Sequence, residues 1–280
     1  MSPRALLLVL LAALCHSAWN LIVKTDARRL EIQSGALVVG TLMCAPVLFF
    51  YSPWTLSLHA WVLIAVSALF ESAYGAGDMS LVYPVARGSG TVLVAPLAVL
   101  LLGERLSTQG VIGIGLVVVG IFLSHGLGRG ALRAWAVAGA HRRALGWALL
   151  TGALIAGYSL VNKVGVTLVP VPLYAFLVFL GDAVLVRLVQ RRWGATSPAL
   201  RREAPWGRMI AVGVLMMGAY LAVLVAMSQA PVSYVVAARE VSVVVAALVG
   251  AIVLDERHSI ARVAGAVVIF GGLCAIALAR

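Results

Sequence analysis

Long apolar stretches alternate with short polar connections along the whole chain. Each stretch is close to the about 20 residues that an α-helix needs to cross the hydrocarbon core of a bilayer. Membrane β-strands would be shorter and would alternate apolar with polar residues, so the pattern predicts helices. The predicted helices are 5–23, 33–50, 60–80, 85–102, 108–125, 144–162, 171–189, 208–228, 233–253 and 260–278. We therefore expect an all-α integral membrane protein with ten transmembrane helices.

The composition supports a membrane protein and argues against a nucleic-acid partner. Hydrophobic residues make up 62% of the chain and charged residues only 11%, whereas about a quarter of the residues of a soluble domain are charged. The net charge is +11, but the arginines lie in short connections and form no basic face with interleaved aromatic residues. Such connections meet anionic lipid. We expect the lipid bilayer as a partner and no nucleic acid.

Motifs of enzymes, metal sites and energy-coupling domains are missing from the sequence. Cys15, Cys44 and Cys274 are dispersed within apolar stretches and form no CxxC, which indicates free thiols. No Gly-Lys pair occurs, so there is no GxxxxGK phosphate-binding loop, and there is no HExxH motif. We expect no metal, no cofactor and no enzymatic activity, and any transport would be secondary.

The chain contains an internal repeat. One constant shift along the sequence aligns Ala86-Arg87 with Ala238-Arg239, Leu102 with Leu254, and Glu104-Arg105 with Glu256-Arg257. Each unit then holds five helices, and because five is odd the second unit enters the membrane from the opposite side. We predict two inverted five-helix repeats, 1–126 and 144–280, joined by a basic connection at 127–143. Inverted repeats of this kind are a recurring basis of alternating access.

Several segments resemble the drug/metabolite transporter superfamily, of the EamA type. These segments are Leu-Leu-Gly-Glu-Arg at 101–105, Leu-Asp-Glu-Arg at 254–257, Ser-Leu-Val-Tyr-Pro-Val-Ala-Arg at 80–87, and His-Ser-Ala-Trp-Asn with a following lysine at 16–24. The resemblance spans essentially the whole chain. It implies a ten-helix transporter that exports or exchanges small organic molecules, but it implies no single substrate.

Polar residues inside apolar helices are the candidate site residues, because such groups usually face the helix bundle or a water-filled cavity. Two stripes at helical spacing stand out: His16, Asn20 and Lys24 with Trp19 alongside, and Tyr158 and Asn162 ending at Lys163. We expect both stripes to line a shared cavity and bind substrate, the alternative being contact between helices. The two lysines, the only ones in the chain, either provide a selected compact charge or reach the interface from a helix end.

An acidic face on the third helix has no counterpart in the second repeat. Glu71, Tyr74 and Asp78 share this face, and their repeat equivalents are apolar. We expect Glu71 and Tyr74 to contact substrate, and Glu71 and Asp78 to couple transport to protons or a cation. The alternative for Glu71 is an ion pair with Arg87 or Arg239.

Arginine begins the fourth and ninth helices at equivalent places. Arg239 and the following Glu240 are candidate substrate contacts, since a guanidinium group binds carboxylates and phosphates well. The alternative is that Arg87 and Arg239 lock these helix starts to a neighbour. Glu104 and Glu256 lie in surface connections, where we expect a capping or loop-locking role.

Three functions are compatible with these features. The favoured one is a secondary transporter that exports or exchanges a small metabolite, such as an amino acid, an amine or a related compound, through a midplane cavity. A non-transporting scaffold would explain the glycine faces of the fifth and tenth helices, which could pack within one chain or in a homodimer, but not the costly polar groups. An intramembrane enzyme using Glu71, Asp78 or His16 would lack a nucleophile partner.

The charge distribution predicts the orientation in the membrane. Few basic residues lie on the side of the two termini: Arg4, Arg105, Lys163 and Arg280. Most of the others lie in the opposite connections. The positive-inside rule then places those connections in the cytoplasm and both termini outside. We expect a multi-pass protein of a bacterial-type inner membrane.

Overall fold

The fold is helical throughout the part of the chain that the structure describes. This computed structural model describes residues 1–26, 28–75, 83–124, 139–192, 205–245 and 260–279. The helices are α1 Pro3–Lys24, α2 Arg29–Cys44, α3 Leu58–Gly75, α4 Tyr83–Leu102, α5 Thr108–Ser124, α6 Gly139–Leu168, α7 Val171–Arg192, α8 Trp206–Gln229, α9 Val232–Arg239 and α10 Ile260–Leu278. No strand occurs within these ranges. The helices agree in number and order with the prediction, so the all-α membrane fold class is confirmed.

Helix length and composition agree with membrane crossing. Five of the described helical spans are long and apolar enough to cross a bilayer: Pro3–Lys24, Arg29–Phe49, Gly146–Leu168, Val171–Arg192 and Trp206–Gln229. Shorter apolar helices cover Leu58–Ser72, Ala86–Leu102, Thr108–Ser124 and Val263–Leu278. Large apolar side chains such as Phe49, Phe50 and Trp54 are exposed, which suits a surface whose solvent is lipid.

The second and sixth helices differ from their predicted bounds. The second helix, predicted over 33–50, is α-helical only to Cys44 and continues as the 3₁₀-helix Ala45–Phe49, because Pro46 cannot donate an α-helical hydrogen bond. The sixth helix extends to Leu168, so Lys163 lies inside α6 and not at its end.

The ninth helix is interrupted near its middle. It was predicted as one segment, 233–253, but α9 ends at Arg239, Glu240 forms a turn, and helix resumes over 241–245. Residues 246–253 lie outside the described part of the chain. The turn places the Glu240 carboxylate inside the protein, where it is buried.

Glu104 and Gly103 explain the conformation of the Leu-Leu-Gly-Glu-Arg segment. Gly103 has φ +66°, a left-handed conformation that ends α4 and that glycine adopts without a Cβ clash. The chain reversal points Glu104 at the start of α9, where its carboxylate accepts the Val232 N–H (2.5 Å) and the Ser233 hydroxyl (2.7 Å). The expected capping role of Glu104 is confirmed, while Glu256 lies outside the described residues.

Helices of the two predicted halves pack against each other in matched pairs. Helix α1 contacts α8, as α6 contacts α3; α2 contacts α8, as α7 contacts α3; and α4 contacts α6, as α9 contacts α1. When every helix is replaced by its equivalent in the other half, each of these contacts turns into the one named with it. The pairs α2–α7, α4–α9 and α5–α10 are their own counterparts, and all three are in contact.

Glycines bring α5 and α10 into backbone contact. A Cβ built on Gly113 would lie 2.8 Å from the Gly272 carbonyl oxygen, and one built on Gly120 would lie 2.8 Å from the Gly265 carbonyl oxygen. The earlier glycine of α5 thus meets the later glycine of α10, so the two helices run antiparallel. The sequence left open whether these glycine faces pack within one chain or between two chains. Gly113, Gly120, Gly265 and Gly272 pack within one chain.

A charged contact ties the α1–α2 corner to the start of α8. The Asp26 carboxylate accepts the Arg28 N–H (2.7 Å) and pairs with the Arg208 guanidinium. The pKa of Asp26 lies below its usual value, mainly because the Arg28 N–H donates to the carboxylate and then because of the two arginine charges. Burial acts in the opposite direction. This corner fixes the relative heights of α1 and α8, which both carry candidate site residues.

Candidate functional site

Hydrogen bonds around Glu71 join four helices. Glu71 Oε1 accepts from Asn162 Nδ2 of α6 (3.1 Å) and from the Tyr220 hydroxyl of α8 (3.0 Å). Asn162 Oδ1 accepts from the hydroxyls of Ser67 on α3 (2.6 Å) and Tyr174 on α7 (2.9 Å). The side chains of Ser67, Asn162 and Tyr174 are buried. We call these five residues the Glu71 network.

The Ser67 hydroxyl lies between two acceptors of this network. Its Oγ is 2.6 Å from Asn162 Oδ1 and 3.3 Å from Glu71 Oε1, but a hydroxyl has only one proton to donate. If that proton goes to Asn162, the Ser67 oxygen is able to accept one from a protonated Glu71. If Glu71 is ionised, Asn162 and Tyr220 still donate to it. The network therefore accommodates both protonation states of Glu71.

A second carboxylate lies beside the Glu71 network. Asp182, in the middle of α7, accepts the Ser72 hydroxyl at 2.5 Å, and Ser72 directly follows Glu71 on α3. When both groups are ionised, the negative charges of Glu71 and Asp182 repel each other. Sequence analysis missed Asp182, although a lone acid in an apolar helix was the signal that singled out Glu71.

A buried ion pair connects α4 to the turn after α9. Arg87 Nε and Nη2 donate to the Glu240 carboxylate at 2.9 Å each, and both side chains are buried. The alternative in which Glu71 pairs with Arg87 is wrong, because the acidic partner of Arg87 is Glu240 and the described donors to Glu71 are neutral. The pair joins the two predicted repeats across their interface.

His16 and Trp19 of α1 lie next to this ion pair. His16 Nε2 is 3.5 Å from Arg87 Nη1, and the Trp19 ring packs edge-on against His16 with ring centroids 5.0 Å apart. The Arg239 charge also acts on His16. Asn20 Nδ2 donates to the His16 carbonyl (2.8 Å) within α1. We call His16, Arg87, Arg239 and Glu240 the arginine cluster.

The two lysines have different surroundings. Lys163 Nζ donates to the carbonyl oxygens of Met227 (2.5 Å) and Ala230 (2.9 Å) at the C-terminal end of α8. A positive charge is favourable there because the last carbonyls of a helix are its negative end. Lys24, at the end of α1, is exposed. The structure therefore does not bring these two predicted site residues together.

The remaining predicted site residues are Tyr158, Tyr74 and Asp78. Tyr158 is buried on α6. The side chain of Tyr74 and all of Asp78 lie outside the described residues. In the described ranges no group of three or more His, Cys, Asp or Glu side chains is close enough to hold a metal ion. The polar groups that the structure does assemble are the Glu71 network and the arginine cluster.

Tyr174, Tyr220 and Ser67 complete the Glu71 network but were not predicted from the sequence. Ser67 lies four residues before Glu71 on α3, so helical spacing alone would have placed the two side chains on one face. Tyr174 and Tyr220 come from α7 and α8, and no local pattern relates them to Glu71. Their contribution is visible only once the helices are packed.

Comparison with known proteins identifies a family that the second half of the chain resembles. Residues 142–278 match the EamA-like transporter family. No curated protein matches the chain. A solved crystal structure of a protein superimposes with a TM-score of 0.76 over 98% of this chain and 96% of that one, at 18% sequence identity, a likeness of fold alone. The match over residues 142–278 supports the EamA-type resemblance of the sequence, and together with the long apolar helices it supports a multi-pass membrane protein.

Proposed function

We propose that the protein is a secondary transporter that exports or exchanges a small organic metabolite, with Glu71 as its coupling carboxylate. The observation that carries this proposal is the Glu71 network. It gathers buried or partly buried polar groups from α3, α6, α7 and α8 around one carboxyl group, and it accommodates that group in either protonation state. Polar groups at membrane depth are costly, and a scaffold function would give them no use.

Alternating access by two inverted repeats is the transport mechanism that we propose. Its support is the matched helix pairs, together with the antiparallel contact of α5 and α10. Two equivalent helices that run in opposite directions are what an inverted repeat requires. The buried Arg87–Glu240 pair and the Lys163 contact with α8 are interactions whose rearrangement would accompany exchange of the open side.

The polar groups restrict the chemistry of the transported molecule. Glu71 and the two tyrosine hydroxyls of its network offer hydrogen bonds and a negative charge to an amine, while Trp19 offers an aromatic face. An amino acid, an amine or a related compound fits these groups. We propose that the protein exports or exchanges this molecule across a bacterial-type inner membrane.

The test is ligand binding and transport by the purified protein and a Glu71→Gln variant. Thermal stability in detergent would be measured across a panel of small metabolites, because a ligand at a hundred times its Kd stabilises by about 2.7 kcal/mol. The stabilising compounds would then be assayed for uptake into proteoliposomes with and without a pH gradient. We expect wild-type uptake to respond to the gradient and Glu71→Gln to lose that response.

The matched control is Glu31→Gln, which removes a carboxylate from the first turn of α2, outside the network. It should transport like the wild type. Both variants should insert and purify normally, as judged by size-exclusion chromatography. If Glu71→Gln transports like the wild type at every pH, Glu71 has no coupling role and the proposal fails.

A further inference from the structure

The arginine cluster contains two arginines and one carboxylate. Arg87 and Arg239 are equivalent in the two predicted repeats, yet both oxygens of Glu240 are bonded to Arg87. Glu240 directly follows Arg239 in the chain but its side chain reaches α4. Among the described residues Arg239 has no ion pair or side-chain hydrogen bond, and its side chain is partly buried.

Within the described part of the chain, no neighbour supplies a negative charge to Arg239. His16 is the nearby group on which both arginine charges act, and it is neutral or positive. Trp19, packed against His16, contributes an uncharged ring. The four described residues of the arginine cluster carry two arginine charges and one carboxylate charge, which is an excess of one positive charge among them. An unbalanced guanidinium group at membrane depth is costly, so an anion that arrives with the substrate would find a favourable partner.

We propose that Arg239 binds a carboxylate group of the transported molecule, near His16. A guanidinium group is suited to this role because it donates two parallel hydrogen bonds to a carboxylate. The inference rests on the proposed transport function and narrows its substrate class to organic acids, including amino acids, and away from simple amines. Glu240 keeps Arg87 occupied, so the substrate anion and Glu240 do not compete for one arginine.

The experiment compares paired compounds on the full-length protein. Each of the natural amino acids would be tested against its decarboxylated amine and its carboxamide, by thermal stability in detergent and by competition for uptake into proteoliposomes. We expect at least one acid to bind and its amine and carboxamide to bind at least tenfold more weakly. Arg239→Gln should weaken binding of that acid by about ten- to a hundred-fold, the range of a charge-assisted hydrogen bond, and leave the binding of the carboxamide unchanged.

Two further variants separate charge from folding. Arg239→Lys keeps the charge and loses the paired donors, so it should recover part of the affinity. Arg191→Gln removes an exposed arginine near the end of α7 and should bind the acid like the wild type. A panel in which no acid binds, or in which amines or phosphorylated compounds bind as well as the acids, overturns the carboxylate assignment. Transport that persists in Arg239→Gln but loses its pH response in Glu71→Gln would overturn this inference alone and leave the proposed function standing.

Discussion

Asn162 donates its side-chain amide to Glu71 across 3.1 Å, and the same side chain accepts the hydroxyls of Ser67 and Tyr174 through its oxygen. One buried amide on α6 therefore satisfies polar groups on both α3 and α7. Among the described side chains of the Glu71 network, Asn162 alone donates to the carboxylate and also accepts from two hydroxyls. Asn162 is thus the residue whose loss should disturb the network most.

Replacing Asn162 by leucine should destabilise the protein by about 3 kcal/mol, because each buried polar group left without a partner costs about 1–3 kcal/mol. The measurement is the unfolding midpoint of purified protein in detergent. The matched control is Asn20→Leu. The Asn20 amide bonds only to the His16 carbonyl of its own helix, so that variant should lose less than about 1 kcal/mol. Equal losses in the two variants would mean that the network contributes no special stability.

The Arg87–Glu240 ion pair should show strong coupling in a double-mutant cycle. Arg87→Gln and Glu240→Gln should each cost about 3–5 kcal/mol, because each leaves a buried charge without its partner. The double variant should cost clearly less than the two single losses together, since neither charge of the pair remains. The unfolding midpoints of the four proteins provide the measurement. Additive losses would contradict a direct interaction between these two residues.

Neighbouring glycines of α10 should respond in opposite ways to alanine. A Cβ at Gly272 would meet the Gly113 carbonyl oxygen at 2.7 Å and the Val117 nitrogen at 2.9 Å, both of them backbone atoms, whereas a Cβ at Gly271 would meet nothing within 4 Å. Gly272→Ala should therefore destabilise by about 1–3 kcal/mol. Gly271→Ala should be neutral or slightly stabilising, since alanine favours helix. Thermal unfolding in detergent distinguishes the two, and similar midpoints would contradict the close α5–α10 contact.

The Asp26 contacts predict a pH-dependent stability. Because the folded-state pKa of Asp26 is lowered, its stabilising effect is full above the usual value of 3.8 and is lost as pH falls through the folded-state pKa. Asp26→Asn should therefore unfold at a lower temperature than the wild type near neutral pH. The difference between the two midpoints should shrink below pH 4. A constant difference down to acid pH would show that ionisation of Asp26 does not contribute.

The helices of this protein were predictable because lipid imposes one simple requirement on the sequence. About 20 consecutive apolar residues satisfy a bilayer crossing, and helix order follows directly. The interruption at Glu240 was not predictable from that pattern, since Val241, Val243 and Val244 continue the apolar run on its far side. A buried partner such as Arg87 is what stabilises the turn, and the partner lies far away in the sequence.

The candidate site was only partly predictable for a similar reason. Glu71 and Asn162 stood out as polar residues in apolar helices, and the structure joins them. The repeat alignment placed Arg87 opposite Arg239, but equivalence in a repeat does not indicate contact, and Arg87 instead pairs with Glu240. Lys24 and Lys163 are equivalent in sequence, yet Lys163 is bonded to the end of α8 whereas Lys24 is exposed at the end of α1.

The consecutive positions of Asn162 and Lys163 link two events on α6. Asn162 is bonded to Glu71, and Lys163 is bonded to the last carbonyls of α8. Since both side chains belong to one helix turn, a rotation of α6 about its axis moves them together. We therefore expect that a displacement of α6 that breaks the Asn162–Glu71 hydrogen bond also breaks the Lys163 hydrogen bonds to the end of α8, so that the polar centre of the protein and the end of a neighbouring helix change together.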